Sequence, residues 1–461
     1  MNSDFQSNRV ALMLADMQET RSSFRVQKTV IVAAAASCLA LGFASPNAAA
    51  AETSDDAELP YCPRPGAEIL ADDSAQQPGG EVANSAAPAD SAAKTPVVAE
   101  TPEDALRVAT YNANLTRESS GELFEELSAP GAEDATAVAR AVQTVRPDVL
   151  VLTGIDVDAG DNVAKAFNTN YLAVGGDEHT GITYPYFYTS DSNAGVDSGA
   201  DLNRDGTIGE PGDALGYGSF PGQSSMIVFS KHPLDEANVR DFTSLSWEAM
   251  PDNNMPARLT DLERNIIPLA SVSHWDIPVE VDGETLHVLA TSTADSSEST
   301  YGTARNHDQI RFWQDYLDPD TEYILDHRGD RGPLPEDDAF VIAGSLKADP
   351  TGKGPGDPTA ITSLLESSQI IDPEPARTLS VSGLGRGLLP DTPDAPHHTA
   401  PSPLGGDESY RADYVLPSAD LEVLDSGVLE TDSPASAQGF FGLPTDTNAN
   451  RIVWADIVVG G

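Results

Sequence analysis

From about residue 104 to the C-terminus, short apolar runs alternate with stretches in which apolar residues recur at helical spacing. The apolar runs predict buried strands at residues 106–111, 149–152, 226–229, 286–290, 339–343, 413–416 and 452–459. The helical spacing predicts helices at residues 135–145, 306–317 and 359–365. Strands and helices interleaved over about 350 residues predict one large α/β domain. Periodicity alone leaves several α/β folds open.

Residues 1–51 have the pattern of an export signal with an N-terminal extension. Basic residues precede the apolar residues 29–44, and small alanines follow at 48–51. A membrane anchor is the alternative, but the apolar run is short for a bilayer and Ser37 interrupts it. We therefore expect a secreted or envelope-associated protein without a transmembrane anchor in its mature form.

Residues 52–103 are rich in Ala, Pro, Ser, Asp and Glu and poor in large apolar side chains. Such a segment buries too little surface to offset its ordering entropy, so a disordered spacer is predicted before the domain at 104–461.

The whole chain carries 73 acidic and 26 basic residues, a net charge of −47. Residues 1–51 contain four basic and three acidic side chains, so the rest of the chain carries −48. This charge opposes binding to nucleic acid by long-range repulsion.

A series of motifs extends the prediction from a fold class to a family. They lie at residues 107–112, 146–152, 225–231, 273–279, 286–290, 305–313, 344–350, 411–418 and 450–456. Their sequences and their order resemble the endonuclease/exonuclease/phosphatase superfamily, and in particular a secreted bacterial branch. The resemblance covers residues 104–461 and implies a four-layer α/β sandwich. In that fold, two mixed, mostly antiparallel sheets are flanked by helices, and the active site lies where strand ends meet.

Several positions that the resemblance assigns to catalysis carry other residues here. The metal-binding Glu at the end of the second strand is Gly154, which has no ligand atom, although hard divalent cations prefer carboxylate oxygen. The Asp and Asn of the family's strand-end motif are Ser345 and Lys347. Lys347 lies beside the implied metal position, where its ammonium would act as a cation.

The remaining catalytic positions are also altered. Ser292 takes the place of a His that contacts the scissile phosphate, and Ala449 and Asn450 replace the terminal Asp-His pair that activates water. In the family, the metal, the general base and the phosphate-binding residues act as one unit. These departures from the family pattern therefore imply that the chain has no catalytic residues and binds no magnesium.

An alternative is that true ligands lie close to these positions and the alignment has slipped. The candidates for that reading are Asp156, Asp349 and Asp446.

Six neighbours of the implied site keep the family's residue type. They are Asn112, Arg305, Asn306, His307, Asp308 and Asp413, for which strand-end hydrogen bonding or helix capping is the structural alternative.

A separate acidic stretch has the spacing of a calcium loop. Asp201, Asn203 and Asp205 alternate before a turn glycine, and Thr207 offers its carbonyl oxygen. Position twelve of an EF-hand would be acidic, but it is Gly212, so we expect a weak surface site or a solvated turn.

The sequence favours a secreted pseudoenzyme that acts by binding or as an envelope protein. The alternatives are a residual metal-dependent phosphodiesterase or phosphatase and a calcium-dependent adhesion module.

Overall fold

The computed structural model describes residues 100–176, 179–295, 301–373, 377–379, 398–401, 409–429 and 450–460. The export signal expected at 1–51, all but the end of the segment at 52–103, and the site positions Ala449 and Asp446 lie outside these residues.

Fourteen strands are described, and they form two large sheets and one short ribbon. They are β1 (Leu106–Leu115), β2 (Val149–Ile155), β3 (Tyr186–Tyr188), β4 (Ser225–Ser230), β5 (Arg240–Asp241), β6 (Ser273–Val281), β7 (Glu284–Ser292), β8 (Phe340–Ser345), β9 (Arg377–Leu379), β10 (Ala400–Pro401), β11 (Ser409–Tyr410), β12 (Asp413–Pro417), β13 (Glu422–Leu429) and β14 (Val453–Val458). The first sheet has the order β3-β4-β2-β1-β14-β13-β9, and the second has the order β12-β8-β7-β6-β5. Both sheets contain parallel and antiparallel pairs.

Six α-helices are described in the same part of the chain. They are α1 (Glu122–Leu127), α2 (Glu133–Val145), α3 (Asn162–Phe167), α4 (Asp261–Ile266), α5 (Gly302–Leu317) and α6 (Pro358–Leu365). Helix α2 ends where Arg146 adopts a φ of 57° before Pro147. The Asp357 carboxylate caps α6 by accepting a hydrogen bond of 2.9 Å from the Thr359 N–H.

Three apolar clusters define four layers. One lies between the two sheets and includes Val108 and Val151 of the first sheet together with Val288 and Ala343 of the second. A second cluster packs helices α2 and α3 on the outer face of the first sheet. The third packs α5 and α6 on the outer face of the second. The predicted four-layer α/β sandwich is thereby confirmed.

A buried ion pair joins β1 and β14, two neighbouring strands of the first sheet that are the first and the last in the chain. Arg107 Nε and Nη2 each donate a hydrogen bond of 2.7 Å to the Asp456 carboxylate. The guanidinium also lies 4.2 Å from the ring centroid of Trp454. The bidentate geometry satisfies both charges where water is excluded.

The predicted strands and helices occur, with shifted ends and some omissions. Strand β1 continues four residues beyond the predicted end, and α5 begins four residues before its predicted start. Strand β6 is predicted only as a motif, because its apolar residues Trp275, Ile277, Val279 and Val281 alternate with other residues and form no continuous apolar run. Among the described residues, no helix is both long enough and apolar enough to cross a membrane.

Candidate functional site

Polar side chains continue the inter-sheet face of the second sheet beyond its apolar core. Along β8, Val341 and Ala343 face the first sheet, so the alternation of strand side chains places Ser345 on the same face. Ser345 is paired with Asp413 on β12 and with Ser292 on β7, which in turn is paired with Ser273 on β6. We call these four buried residues, Ser273, Ser292, Ser345 and Asp413, the polar row.

The first sheet contributes Asn112 and Thr153, which are paired across β1 and β2. Gly154 follows Thr153 and has a φ of 64°, a conformation that L-residues rarely adopt. A Cβ atom added to Gly154 would lie 2.2 Å from Asn112 Oδ1. The Asn112 side chain therefore occupies the space into which a side chain at position 154 would extend.

A chain of hydrogen bonds connects the two sheets at this end. The Asn450 side-chain amide donates to the Asn112 carbonyl oxygen (3.3 Å), and the Arg451 N–H donates to the Thr399 carbonyl oxygen (2.8 Å). The Thr399 hydroxyl donates to Asp413 Oδ2 (2.8 Å) and accepts from the Asp413 N–H (3.0 Å). The polar row and the Asn112–Thr153 pair therefore belong to one site.

Burial raises the pKa of Asp413 to about 6. The hydroxyls of Thr399 and Ser345 and the charge of Lys347 oppose this shift but do not cancel it. Asp413 is thus a carboxyl group that titrates in the range used by general acids and bases.

Four buried side-chain atoms at the site make no hydrogen bond of ordinary length and angle with the described residues: Thr153 Oγ1, Ser273 Oγ, Ser345 Oγ and Asp413 Oδ1. Ser345 Oγ is nevertheless near enough to the Asp413 carboxyl to lower its pKa. Because buried polar groups nearly always have partners, such a group of atoms is typical of a place that holds water or a ligand.

Comparison with known proteins identifies the family. The sequence profile of the Endonuclease/Exonuclease/phosphatase family matches residues 109–437, more than half of the chain. The chain belongs to this family. No curated protein sequence matches it.

Solved structures similar to the chain include the following two. One is an endonuclease/exonuclease/phosphatase from Beutenbergia cavernae DSM 12333, 17% identical, covering 78% of this chain and 72% of that chain, with a TM-score of 0.44. Another is sphingomyelinase C from Streptomyces griseocarneus, 16% identical, covering 76% of this chain and 99% of that chain, with a TM-score of 0.40.

The positions that the sequence resemblance aligns with the family's catalytic residues, where they are described, lie at this site. Ser292 and Ser345 are in the polar row, Gly154 lies against Asn112, and Asn450 bonds to the Asn112 carbonyl oxygen. Lys347 follows Ser345 by two residues, and its charge acts on Asp413. Thr399 was not predicted as a site residue, because it lies in a Pro-rich stretch with no periodic pattern.

Asn306 is inside helix α5 and does not cap it, since the helix begins at Gly302. Its side-chain amide donates to Thr293 Oγ1 and to the carbonyl oxygens of Ala294 and Leu346, at 2.9–3.0 Å. Asn306 therefore ties α5 to the ends of β7 and β8, beside the polar row.

The nearby acids have structural partners. Asp156 accepts hydrogen bonds from the N–H groups of Ser224 and Arg117, and burial raises its pKa to about 6. Asp349 accepts from the N–H groups of Thr351 and Arg411.

The residues present do not fit the divalent metal that the family implies. Among its described residues, the site offers one carboxylate, Asp413, together with hydroxyl groups, and Gly154 supplies no ligand. Within the described part of the chain, no group of three His, Cys, Asp or Glu side chains is arranged to hold a metal ion.

The predicted calcium loop folds around its own acids. Asp201 accepts hydrogen bonds from the N–H groups of Asp205 and Gly206, at 3.2 and 3.0 Å, and Asp205 accepts from the Thr207 N–H at 2.8 Å. Hydrogen bonding to Asp205 is the largest cause of the raised pKa of Glu210. Two carboxyl groups therefore lie side by side on this exposed loop.

Proposed function

We propose that this chain is a secreted pseudoenzyme of the endonuclease/exonuclease/phosphatase family that acts by binding, as an envelope or extracellular protein. The observation that carries this proposal is the contact between Gly154 and Asn112. Where the family has a metal-binding Glu, this chain has a glycine whose Cβ position is occupied by a neighbouring amide oxygen. Restoring a carboxylate at position 154 would therefore require the Asn112 side chain to move as well.

The polar row supports the same proposal. Ser345 and Lys347 lie at the positions where the family has Asp and Asn. The hydroxyls of Ser345, Ser273 and Thr153 make no hydrogen bond of ordinary geometry with the described residues, so they remain able to bond to a ligand. Hydroxyl groups bind polar ligands without needing a metal, so binding survives the changes that remove the metal site.

One observation favours the alternative of a residual hydrolase. Asp413 has a pKa of about 6 and lies opposite Ser345, so the site retains one group suited to proton transfer. This alternative requires the phosphoester to be activated without the family's metal set.

An activity assay separates the two. Purified full-length protein with a model phosphodiester and excess Mn²⁺ at neutral pH is expected to give no turnover above buffer. The Gly154→Glu variant is expected to remain inactive, because base and clamp are still altered. Turnover by the wild type that is lost in Asp413→Ala, but kept in a matched Asp349→Asn variant, would establish a rewired hydrolase instead.

Export is tested separately. Expression of the full chain followed by fractionation and N-terminal mass spectrometry is expected to give an extracellular or envelope-bound protein whose mature end lies near residue 51. A protein retained in the cytoplasm with residues 29–44 intact would contradict secretion while leaving the pseudoenzyme proposal untouched.

A further inference from the structure

His287 lies on β7, five residues before Ser292 and therefore about 16 Å from the polar row. It shares the outer face of the second sheet with Leu289, which packs in the cluster beneath α5. Its side chain is 16% exposed. The histidine thus belongs to a part of the molecule that the strand-end site does not include.

A buried carboxylate orients the imidazole of His287. His287 Nδ1 lies 2.7 Å from Asp276 Oδ1, and the other oxygen of Asp276 accepts a hydrogen bond of 2.6 Å from the Tyr316 hydroxyl. Because the carboxylate can only accept, Nδ1 carries the proton, and in the neutral ring Nε2 presents a lone pair. Burial opposes protonation, but Asp276 and Asp338 outweigh it and raise the pKa of His287, so Nε2 has a lone pair only above that pKa. Histidines that bind metals are commonly oriented by a carboxylate in this way.

The free edge of the ring faces a second carboxylate. His287 Nε2 lies 3.6 Å from Asp338 Oδ2, and the Asp338 side chain is 40% exposed. This separation is too long for a hydrogen bond. A metal about 2.1 Å from each atom would be bound with an N–metal–O angle of roughly 118°, close to the tetrahedral value.

We propose that His287 Nε2 and Asp338 form a surface site for a divalent transition metal of the zinc type, with Asp276 as the positioning residue. Water completes the coordination, because the described residues provide no third His, Cys, Asp or Glu ligand here. Four charged or titratable groups face the imidazole: Asp276 on β6, Asp338 before β8, Tyr316 on α5 and Arg240 on β5. The metal and a proton compete for Nε2, so binding weakens as the pH falls.

Zinc binding to the full chain is the test, measured by equilibrium dialysis or calorimetry with the metal alone. The Asp338→Asn variant is expected to lower zinc affinity at this site at least tenfold. Asp337→Asn is the matched control, since it removes the same charge from an exposed neighbour and is expected to leave affinity unchanged. His287→Gln is expected to abolish binding, and His232→Gln is not.

A second measurement reports the positioning residue. Asp276→Asn is expected to weaken zinc binding about 10–100-fold, and the wild-type affinity is expected to fall about tenfold per pH unit once His287 is protonated. Equal zinc affinity in the wild type and in Asp338→Asn, or no zinc binding at millimolar metal, would overturn the proposal. Neither result bears on phosphodiesterase activity, which is assayed at the other site.

Discussion

A side chain at position 154 would collide with Asn112 unless Asn112 moved, because Asn112 Oδ1 lies 2.2 Å from where the Cβ atom would be. The positive φ of Gly154 adds backbone strain for any other residue. We therefore predict that Gly154→Ala lowers the free energy of unfolding by about 2 kcal/mol, measured by denaturant titration.

Gly283 supplies the control for that measurement. It has a φ of 95° but no atom within 4 Å of its Cβ position, so Gly283→Ala is expected to cost only about 1 kcal/mol through strain. If both variants lose the same stability, the contact with Asn112 does not oppose a side chain at position 154.

The raised pKa of Asp413 predicts how the stability of the protein changes with pH. Its folded pKa of about 6 lies above the ordinary value of 3.8, so the folded state binds more protons between those values. The contribution of Asp413 to the free energy of unfolding therefore falls as the pH rises from 3.8 to 6. Above pH 6 this loss of stability changes no further. The Asp413→Asn variant is expected to gain stability over the wild type across this window, on the order of 3 kcal/mol by pH 7.

The comparison with the variant is necessary because His274 has the opposite effect. Burial lowers the pKa of His274 from 6.5 to about 4, so its contribution to stability is lost as the pH falls through that range. Chemical denaturation of both proteins at a series of pH values measures the difference. A difference that stays constant from pH 4 to pH 7 would rule out the raised pKa.

At the scale of elements, the loop between Asp201 and Asp213 carries the calcium prediction. Asp213 is buried and accepts from the N–H groups of Leu202 and Asn203, so it closes the loop, whereas Asp201, Asn203 and Asp205 remain at its exposed face. We expect calcium to bind there with a dissociation constant of roughly 10⁻⁴ to 10⁻³ M.

Calcium at millimolar concentration should then raise the melting temperature relative to chelator. Asp201→Ala combined with Asp205→Ala should remove the shift, and Asp261→Ala, an acidic residue outside the loop, should preserve it. An unchanged wild-type melting temperature would mean that the loop is a solvated turn.

Sequence predicts elements here better than it predicts their contacts. Helix α2 was predicted because its five apolar positions repeat at helical spacing, and all of them are buried. Asn306 was assigned to a helix start, because the residues before it have no apolar pattern. Thr399 is not predicted, because its contact with Asp413 depends on how the segment that links these two residues, 14 positions apart, folds back and leaves no local sequence pattern. The altered positions at 154, 345 and 347 were found because family motifs flank them.

At the scale of the whole molecule, the excess of acidic over basic residues gives a net charge of −47. Like charges destabilise the compact state, and salt screens them. We predict that raising sodium chloride from about 0.05 M to about 0.5 M raises the melting temperature. A melting temperature independent of salt would show that the acidic groups are too well separated to repel.

The ion pair between Arg107 and Asp456 also bears on when the first sheet can be completed during synthesis. Its partners are 349 residues apart, and the strand carrying Asp456 lies between β1 and β13 in the sheet. During synthesis, the edge of β1 that pairs with β14 therefore stays open until residues 453–458 have been made. Closing so long a loop is slow. In a chain that ends before residue 453, the Arg107 guanidinium loses both the Asp456 carboxylate and the Trp454 ring and keeps its hydrogen bond to the Val145 carbonyl oxygen.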